Sequence, residues 1–222
     1  MTQVIVSYDG TRNDRDALAL GGLFAKAGAD ITLAYVRHAV ESDPEREAAE
    51  QQEAEHVLAV GAELLGNPSA GQRVIVNPST ASGLAELAGE LGADVIAFGS
   101  SHKTPPGRVN MPHTAQTLVE RSVACSLALA PAGLRREPVA HSIGTVRVAA
   151  GDDDPAAPAT AASLAHALGA VVTDDDADLV VIASRPEAAP GKLLLSSRAL
   201  QLVEQSSGPL LLLARGATLS FG

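Results

Sequence analysis

The chain repeats itself. Ala93-Asp94-Val95-Ile96-Ala97-Phe98-Gly99-Ser100 returns as Ala177-Asp178-Leu179-Val180-Val181-Ile182-Ala183-Ser184. Ala115-Gln116-Thr117-Leu118-Val119-Glu120-Arg121-Ser122 returns as Ala199-Leu200-Gln201-Leu202-Val203-Glu204-Gln205-Ser206. Ala93 reappears as Ala177 and Ala115 as Ala199, an offset of 84 in both blocks. Between the blocks, Pro106-Gly107-Arg108 recurs as Pro190-Gly191-Lys192 without a gap. A repeat of this length is a supersecondary unit copied along the chain, and it fixes the architecture before any single residue is considered.

The first copy alternates strands and helices. Val4-Ile5-Val6 is a short apolar strand ending in the turn cluster Tyr8-Asp9-Gly10-Thr11. Asp14 to Ala27 carries Ala17, Leu20, Phe24 and Ala27 at helical spacing, and Gly28 closes that helix. Ile31–Val36 is a second strand, and Asp43-Pro44 opens a long Glu-rich helix whose acidic run is a solvated face. Arg73–Val76 is a third strand, Ala81–Leu91 a helix and Val95–Phe98 a fourth strand. A loop rich in Ser, Pro and Gly runs from Gly99 to Pro112; Thr114–Ser122 is a helix and Ser126–Ala130 a fifth strand. Strands separated by helices predict an α/β doubly wound parallel sheet.

Pro131 to Ser142 reads as a linker, giving units of residues 1–134 and 143–222 joined by 135–142. The second unit opens with Val146-Arg147-Val148, then a helix from about Ala156 to Leu168 and a short strand at Ala170–Val172. Val4 and Val6 correspond to Val146 and Val148, an offset of 142, whereas the later blocks are offset by 84. The second copy therefore lacks about 58 residues (142 − 84), the length of the long helix, third strand and following helix. Ser126–Ala130 and Leu210–Leu213 are the apolar outer strands of the two units. Exposed apolar edges invite association. Pairing the two would hide both and make the chain a pseudo-dimer.

Composition removes several function classes. The formal charge is −10 with a pI near 5.0, against a broad nucleic-acid surface or a polybasic membrane face. No apolar run approaches the roughly 18 residues of a membrane span. The N-terminus enters a strand without a secretory leader, so the cytoplasm is expected. Cys125, the only cysteine, lies in an apolar run and reads as core.

Ligands of doubly wound sheets bind beyond the strands' carboxyl ends, where the strand order reverses. Tyr8–Thr11 and Gly99–Thr114 are expected to meet there. The second loop leads into a helix N-terminus, suited to phosphate. Gly99 and Gly107 supply close approach and a turn, and Lys103 and Arg108 supply charge. Thr114 reads equally as a helix cap or a phosphate donor, and Asp9 as an acceptor for a base amino group or sugar hydroxyl. His102 and His113 have no partner at ligand spacing, so no metal is expected. Asp152-Asp153-Asp154 and Asp174-Asp175-Asp176 read as solvated loops. There is no P-loop, no dinucleotide fingerprint after a strand and no nucleophile elbow, and no catalytic residue is assigned.

In order, these features resemble the universal stress protein family in its tandem form. Val4-Ile5-Val6-Ser7-Tyr8-Asp9-Gly10-Thr11 is similar to the family's first strand with its Asp-Gly-Ser. Leu33-Ala34-Tyr35-Val36 is similar to its Leu-x-His-Val. Residues 93–100 resemble the fourth strand entering the phosphate loop, and Ala115–Ala130 the last helix and strand. The resemblance implies an adenine nucleotide alpha hydrolase-like fold and a non-enzymatic stress-response module, with slow ATP hydrolysis as the upper limit of its chemistry. It also implies ATP or another adenine nucleotide held in the first unit by Asp9, Gly10, Thr11, Val36, Gly99, Ser100, Ser101, Lys103, Gly107 and Thr114.

ATP-binding members carry G-x2-G-x9-G-[ST], and this chain departs from it. Gly99 matches the first glycine. His102 takes the second place, or Lys103 does if one residue is inserted. His113 then replaces the third glycine, and Thr114 keeps the hydroxyl. In the second unit Ala183 replaces the first glycine, so nucleotide is not expected there. The alternatives are a scaffold that has lost nucleotide and acts through protein partners, a homodimer or another small ligand, and an enzyme of the wider hydrolase-like group. The pyrophosphatases of that group need a Ser-Gly-Gly-x-Asp-Ser loop, which Ser7-Tyr8-Asp9-Gly10 is not.

Overall fold

The computed structural model describes residues 1–137, 142–149 and 154–222. The middle of the expected linker, with Pro138, and the pair Asp152-Asp153 lie outside the described residues.

Residues 1–137 form β1 (Gln3–Ser7), α1 (Asp14–Lys26), β2 (Asp30–Arg37), α2 (Pro44–Leu65) and β3 (Gly71–Val76). They continue with α3 (Thr80–Leu91), β4 (Val95–Gly99), α4 (His113–Glu120) and β5 (Ser126–Ala130). The later residues form β6 (Thr145–Val148), α5 (Ala156–Leu168), β7 (Val171–Val172), β8 (Leu179–Ile182), α6 (Ser197–Gln205) and β9 (Leu210–Leu212). All strands join one sheet in the order β3-β2-β1-β4-β5-β9-β8-β6-β7. Every neighbouring pair is parallel except β5 and β9, which run antiparallel with Leu127 opposite Leu212, Ala128 opposite Leu211 and Leu129 opposite Leu210. The two outer strands therefore pair with each other, as the sequence predicts, and one sheet runs through both halves.

The second half repeats the order β2-β1-β4-β5 as β7-β6-β8-β9 and has no counterpart of α2, β3 or α3. Central strands such as β4 and β5 are buried at every position, as expected when helices cover both faces. On one face α1, α2 and α5 pack over Val4, Val6, Ala128, Val146 and Val181. On the other, α3, α4 and α6 pack over Ile5, Ile96, Leu127, Val180 and Leu210.

Local chemistry sets the helix ends. Asp43 accepts from the N–H groups of Glu45 (2.9 Å) and Arg46 (3.4 Å), with Pro44 in the first turn behind it. Ser79 and Ser196 cap α3 and α6 by accepting from Ser82 N (3.3 Å) and Ala199 N (3.1 Å). The stretch read as linker begins differently from expectation. Leu134–Arg136 is a turn of 3-10 helix, and Leu134 is fully buried. Buried Asp16 fixes it by accepting from Gly133 N (2.8 Å), Arg135 N (3.1 Å) and Arg135 Nη1 (2.8 Å). The second half repeats the device. Buried Asp154 accepts from Gly216 N (2.8 Å) and lies 3.3 Å from Arg215 Nη1. This member of the first acidic run is therefore a structural anchor and not part of a solvated loop.

The C-terminal segment crosses back onto the first half. Phe221 stacks on Phe24 with ring centroids 5.9 Å apart. Gly222 N donates to Ala27 O (2.7 Å), and Thr2 Oγ1 donates to Ser220 O (2.7 Å). Leu219 N donates to Thr160 Oγ1 (3.0 Å) on α5, so the segment links α1 and α5 across the middle of the molecule.

Candidate functional site

β1 has β2 on one side and β4 on the other, and the helices that follow β1 and β3 lie on opposite faces. The carboxyl ends of β1 and β4 are therefore the point where the winding reverses, the place at which ligands of such sheets bind. The loop after β1 touches the loop after β4 through Asn13, two residues beyond the Tyr8–Thr11 stretch expected to make the contact. Asn13 Nδ2 donates to Ser100 O (2.7 Å).

The loop after β1 is built on carboxylates. Asp9 Oδ1 accepts from Thr11 N (2.9 Å), and Asp9 N donates to Asp14 Oδ2 (2.7 Å). Gly10 turns with φ 84° beside Val57. The two carboxyl groups are close enough for each to shift the other's protonation. Burial and then Asp9 push Asp14 up to about 8, while Asp9 falls below the usual carboxylate range through its bonds to Asp14 and Thr11, against the pull of burial. Asp14 is a site neighbour that sequence reading missed: as the first residue of a helix it looks like a plain dipole partner.

Val36 lies near the end of β2, half-buried and paired with Ile75 of β3. The next residue, Arg37, is buried and binds Glu47 with both terminal nitrogens (2.8 and 2.7 Å) and Glu50 with one (3.1 Å). Arg37 holds Glu47 down at about 2. The pair fastens the start of α2 beside Val36. Its sequence signal was a basic residue closing an otherwise apolar strand.

The loop after β4 has a different economy from the one expected. Gly99 is packed against the other loop: a Cβ there would sit 2.1 Å from Asn13 O. The close approach that demands glycine is made by Asn13's own backbone. The Ser100 hydroxyl is buried, donates to Ala130 O (2.7 Å) and accepts from Asn110 N (3.2 Å). Ser101 N donates to Asn110 O (3.0 Å) and its hydroxyl reaches Met111 O (3.4 Å). Gly107 turns with φ 70°, and its N–H donates to Ala132 O (2.8 Å). His102, Lys103 and His113 are exposed. Thr114 is inside the first turn of α4 and is not its cap; Pro112 holds that position, and no side chain caps the turn.

The repeated residues explain themselves in the second half. Ser184 Oγ accepts from Leu194 N (2.7 Å) and reaches Lys192 O (3.1 Å), and Gly191 turns with φ 75°, donating to Arg215 O (2.8 Å). Each loop also crosses the β5·β9 seam. Val109 N donates to Ser206 O (3.2 Å), and Leu193 N donates to Val123 O (3.0 Å). Arg108 Nη1 reaches Gln205 O (3.3 Å). What the two copies share is loop geometry at an approximate two-fold axis.

Among the described residues no group of three or more His, Cys, Asp or Glu is placed to hold a metal ion, and Asp174, Asp175 and Asp176 are exposed. No helix of the described residues is long and apolar enough to cross a membrane. Cys125 is buried in the second core, and burial pushes its thiol up to about 12.

The fold defines a doubly wound α/β protein built as a fused pair. The chain belongs to the universal stress protein family, whose family model matches residues 1–130. A universal stress protein of Archaeoglobus fulgidus superposes with a TM-score of 0.69 at 13% identity, over 97% of this chain and 98% of its own. A Pseudomonas aeruginosa protein described as a candidate universal stress protein gives 0.68 at 13% identity, over 97% and 94%. No curated protein matches the chain in sequence.

Proposed function

We propose that the chain is a stress-response module that binds an adenine nucleotide in its first half, with residues 1–134 and 143–222 as its two units. The observation that supports this reading most is the meeting of the Asp9 and Gly99 loops at the β1/β4 switch point, beside the uncapped first turn of α4. On this reading Asp9 and Thr11 face the sugar, Val36 the base, and Lys103, Thr114 and the first amides of α4 the phosphates. Gly99, Ser100 and Gly107 shape the loop. No group at the switch point is assigned a catalytic step, and ATP is one candidate among adenine nucleotides. A cytoplasmic location accompanies this reading, since the ligand is abundant there.

One observation favours a second reading, a scaffold without nucleotide: Ser100 Oγ, Gly107 N and Val109 N are all bonded within the protein. Titration calorimetry with ATP, ADP and AMP decides. Under the nucleotide reading at least one binds, and Asp9→Ala and Thr114→Ala each weaken it by about 1–3 kcal/mol, because a polar partner is left unpaired. No heat with any of the three gives the scaffold reading its place, whereas binding unchanged in both variants would show that the site assignment is wrong.

A further inference from the structure

A cleft of about 600 Å³ lies away from the β1/β4 switch point, on the outer side of α1 where the end of α2 approaches it. Its apolar lining is Leu18, Gly22, Leu64 and Leu65. Leu64 is 57% exposed although it belongs to a helix that has an apolar face to bury. The charges on the lining are Arg15, Lys26 and Arg135, with no carboxylate among the described residues that line it. This is the reverse of the whole chain, which has 26 acidic and 16 basic residues. Asp16 lies behind Arg135 and is its partner (2.8 Å). Arg15 and Arg135 stand at the N-terminal end of α1, where the helix dipole adds to their field. From there to Lys26 the helix is about 16 Å long.

We propose that this groove binds a small anionic amphiphile, an unbranched alkyl chain ending in a carboxylate, with the chain along Gly22 and Leu64 and the carboxylate at Arg15 and Arg135. An apolar floor with a cationic end selects that combination of charge and length. A neutral chain lacks the ionic contact, and a cationic one is repelled. None of the residues assigned to nucleotide lines this groove, so it is a second site, independent of the nucleotide reading.

The test is calorimetry with dodecanoate below its micellar concentration. Saturable binding at one site is expected, with dodecyltrimethylammonium at least roughly tenfold weaker. Gly22 offers the sharpest variant, because a Cβ there would meet only Leu65 Cδ1, at 3.7 Å. Gly22→Leu fills the groove while improving a helical position, so the melting temperature stays level or rises. Dodecanoate affinity falls by about tenfold or more. Leu64→Glu, at an exposed position, repels the same ligand and serves if the leucine variant misfolds. Binding that both variants retain, no saturable heat in the parent, or equal binding of the cationic chain each overturns the proposal. Nucleotide titration of Gly22→Leu keeps the two sites apart: it is expected to match the parent.

Discussion

At the scale of single residues, the unusual chemistry is the carboxyl pair at the mouth of β1. Burial, with the Asp9 carboxylate beside it, keeps Asp14 protonated up to about pH 8. An unfolded chain releases that proton near pH 4. Between these values the folded state binds more protons than the unfolded state, so stability falls as pH rises, and it levels off above about 8. Asp14→Asn cannot ionise, yet its side-chain oxygen can still accept from Asp9 N. The variant is expected to gain on the parent as pH rises, by about 1–3 kcal/mol at pH 8 and close to nothing at pH 4. Urea denaturation at the two pH values checks this, and an equal difference at both would show that Asp14 is not held protonated. His113 makes a separate prediction. It is exposed at the start of α4, where the resemblance to ATP-binding members implies glycine. If its bulk limits phosphate access, His113→Gly tightens ATP binding. If the imidazole has instead become a phosphate ligand, the glycine variant loses affinity. Calorimetry on parent and variant separates the outcomes, and loss of affinity would count against the steric account.

At the scale of elements, the two serine-pinned loops are the repeated device. Ser100 and Ser184 each hold a crossing loop by one hydroxyl, and both are buried. Removing either hydroxyl strands buried backbone groups, at a cost of about 1–3 kcal/mol. Ser100→Ala and Ser184→Ala are therefore expected to lower the melting temperature by similar amounts. If Ser100 were chiefly a phosphate ligand, its alanine variant would lose nucleotide and keep its stability, the opposite signature. The repeat in the sequence pointed to these loops but read them toward phosphate, because a Gly-Ser after a strand looks the same whether it faces ligand or protein. The elements themselves were legible. α5 lies where apolar spacing put it, at Ala156–Leu168, and the missing α2-β3-α3 block followed from a change of offset. What stayed hidden depends on contacts far apart in the chain. Leu134–Arg136 is ordered by Asp16, more than a hundred residues earlier. Arg37 is held by carboxylates one helix away, and the last residues are held by Phe24 and Ala27. Local periodicity carries no trace of such partners.

At the scale of the whole molecule, the chain is a dimer interface made covalent. Along the β5·β9 seam Leu127, Leu129, Leu210 and Leu212 are completely buried. Fully burying such side chains contributes about 1.5–3 kcal/mol each. The second half kept the strands and loops that make this seam and lost those farthest from it, which fits selection for the interface. A prediction follows for the first half alone. A fragment of residues 1–137 retains the Asp16 anchor and its own layers, but it leaves β5 as an unpaired apolar edge. An edge of that kind pairs with the nearest copy. The present seam is antiparallel and centred on Ala128, opposite Leu211. A second copy of β5 can take the place of β9 in the same register, with Ala128 opposite Ala128 and Leu127 opposite Leu129. The fragment is therefore expected to be a two-fold dimer by sedimentation equilibrium. Ala128→Pro, which blocks a strand position, is expected to shift it toward monomer or aggregate. A folded, monomeric fragment at micromolar concentration would show that the second half does more than replace a lost partner.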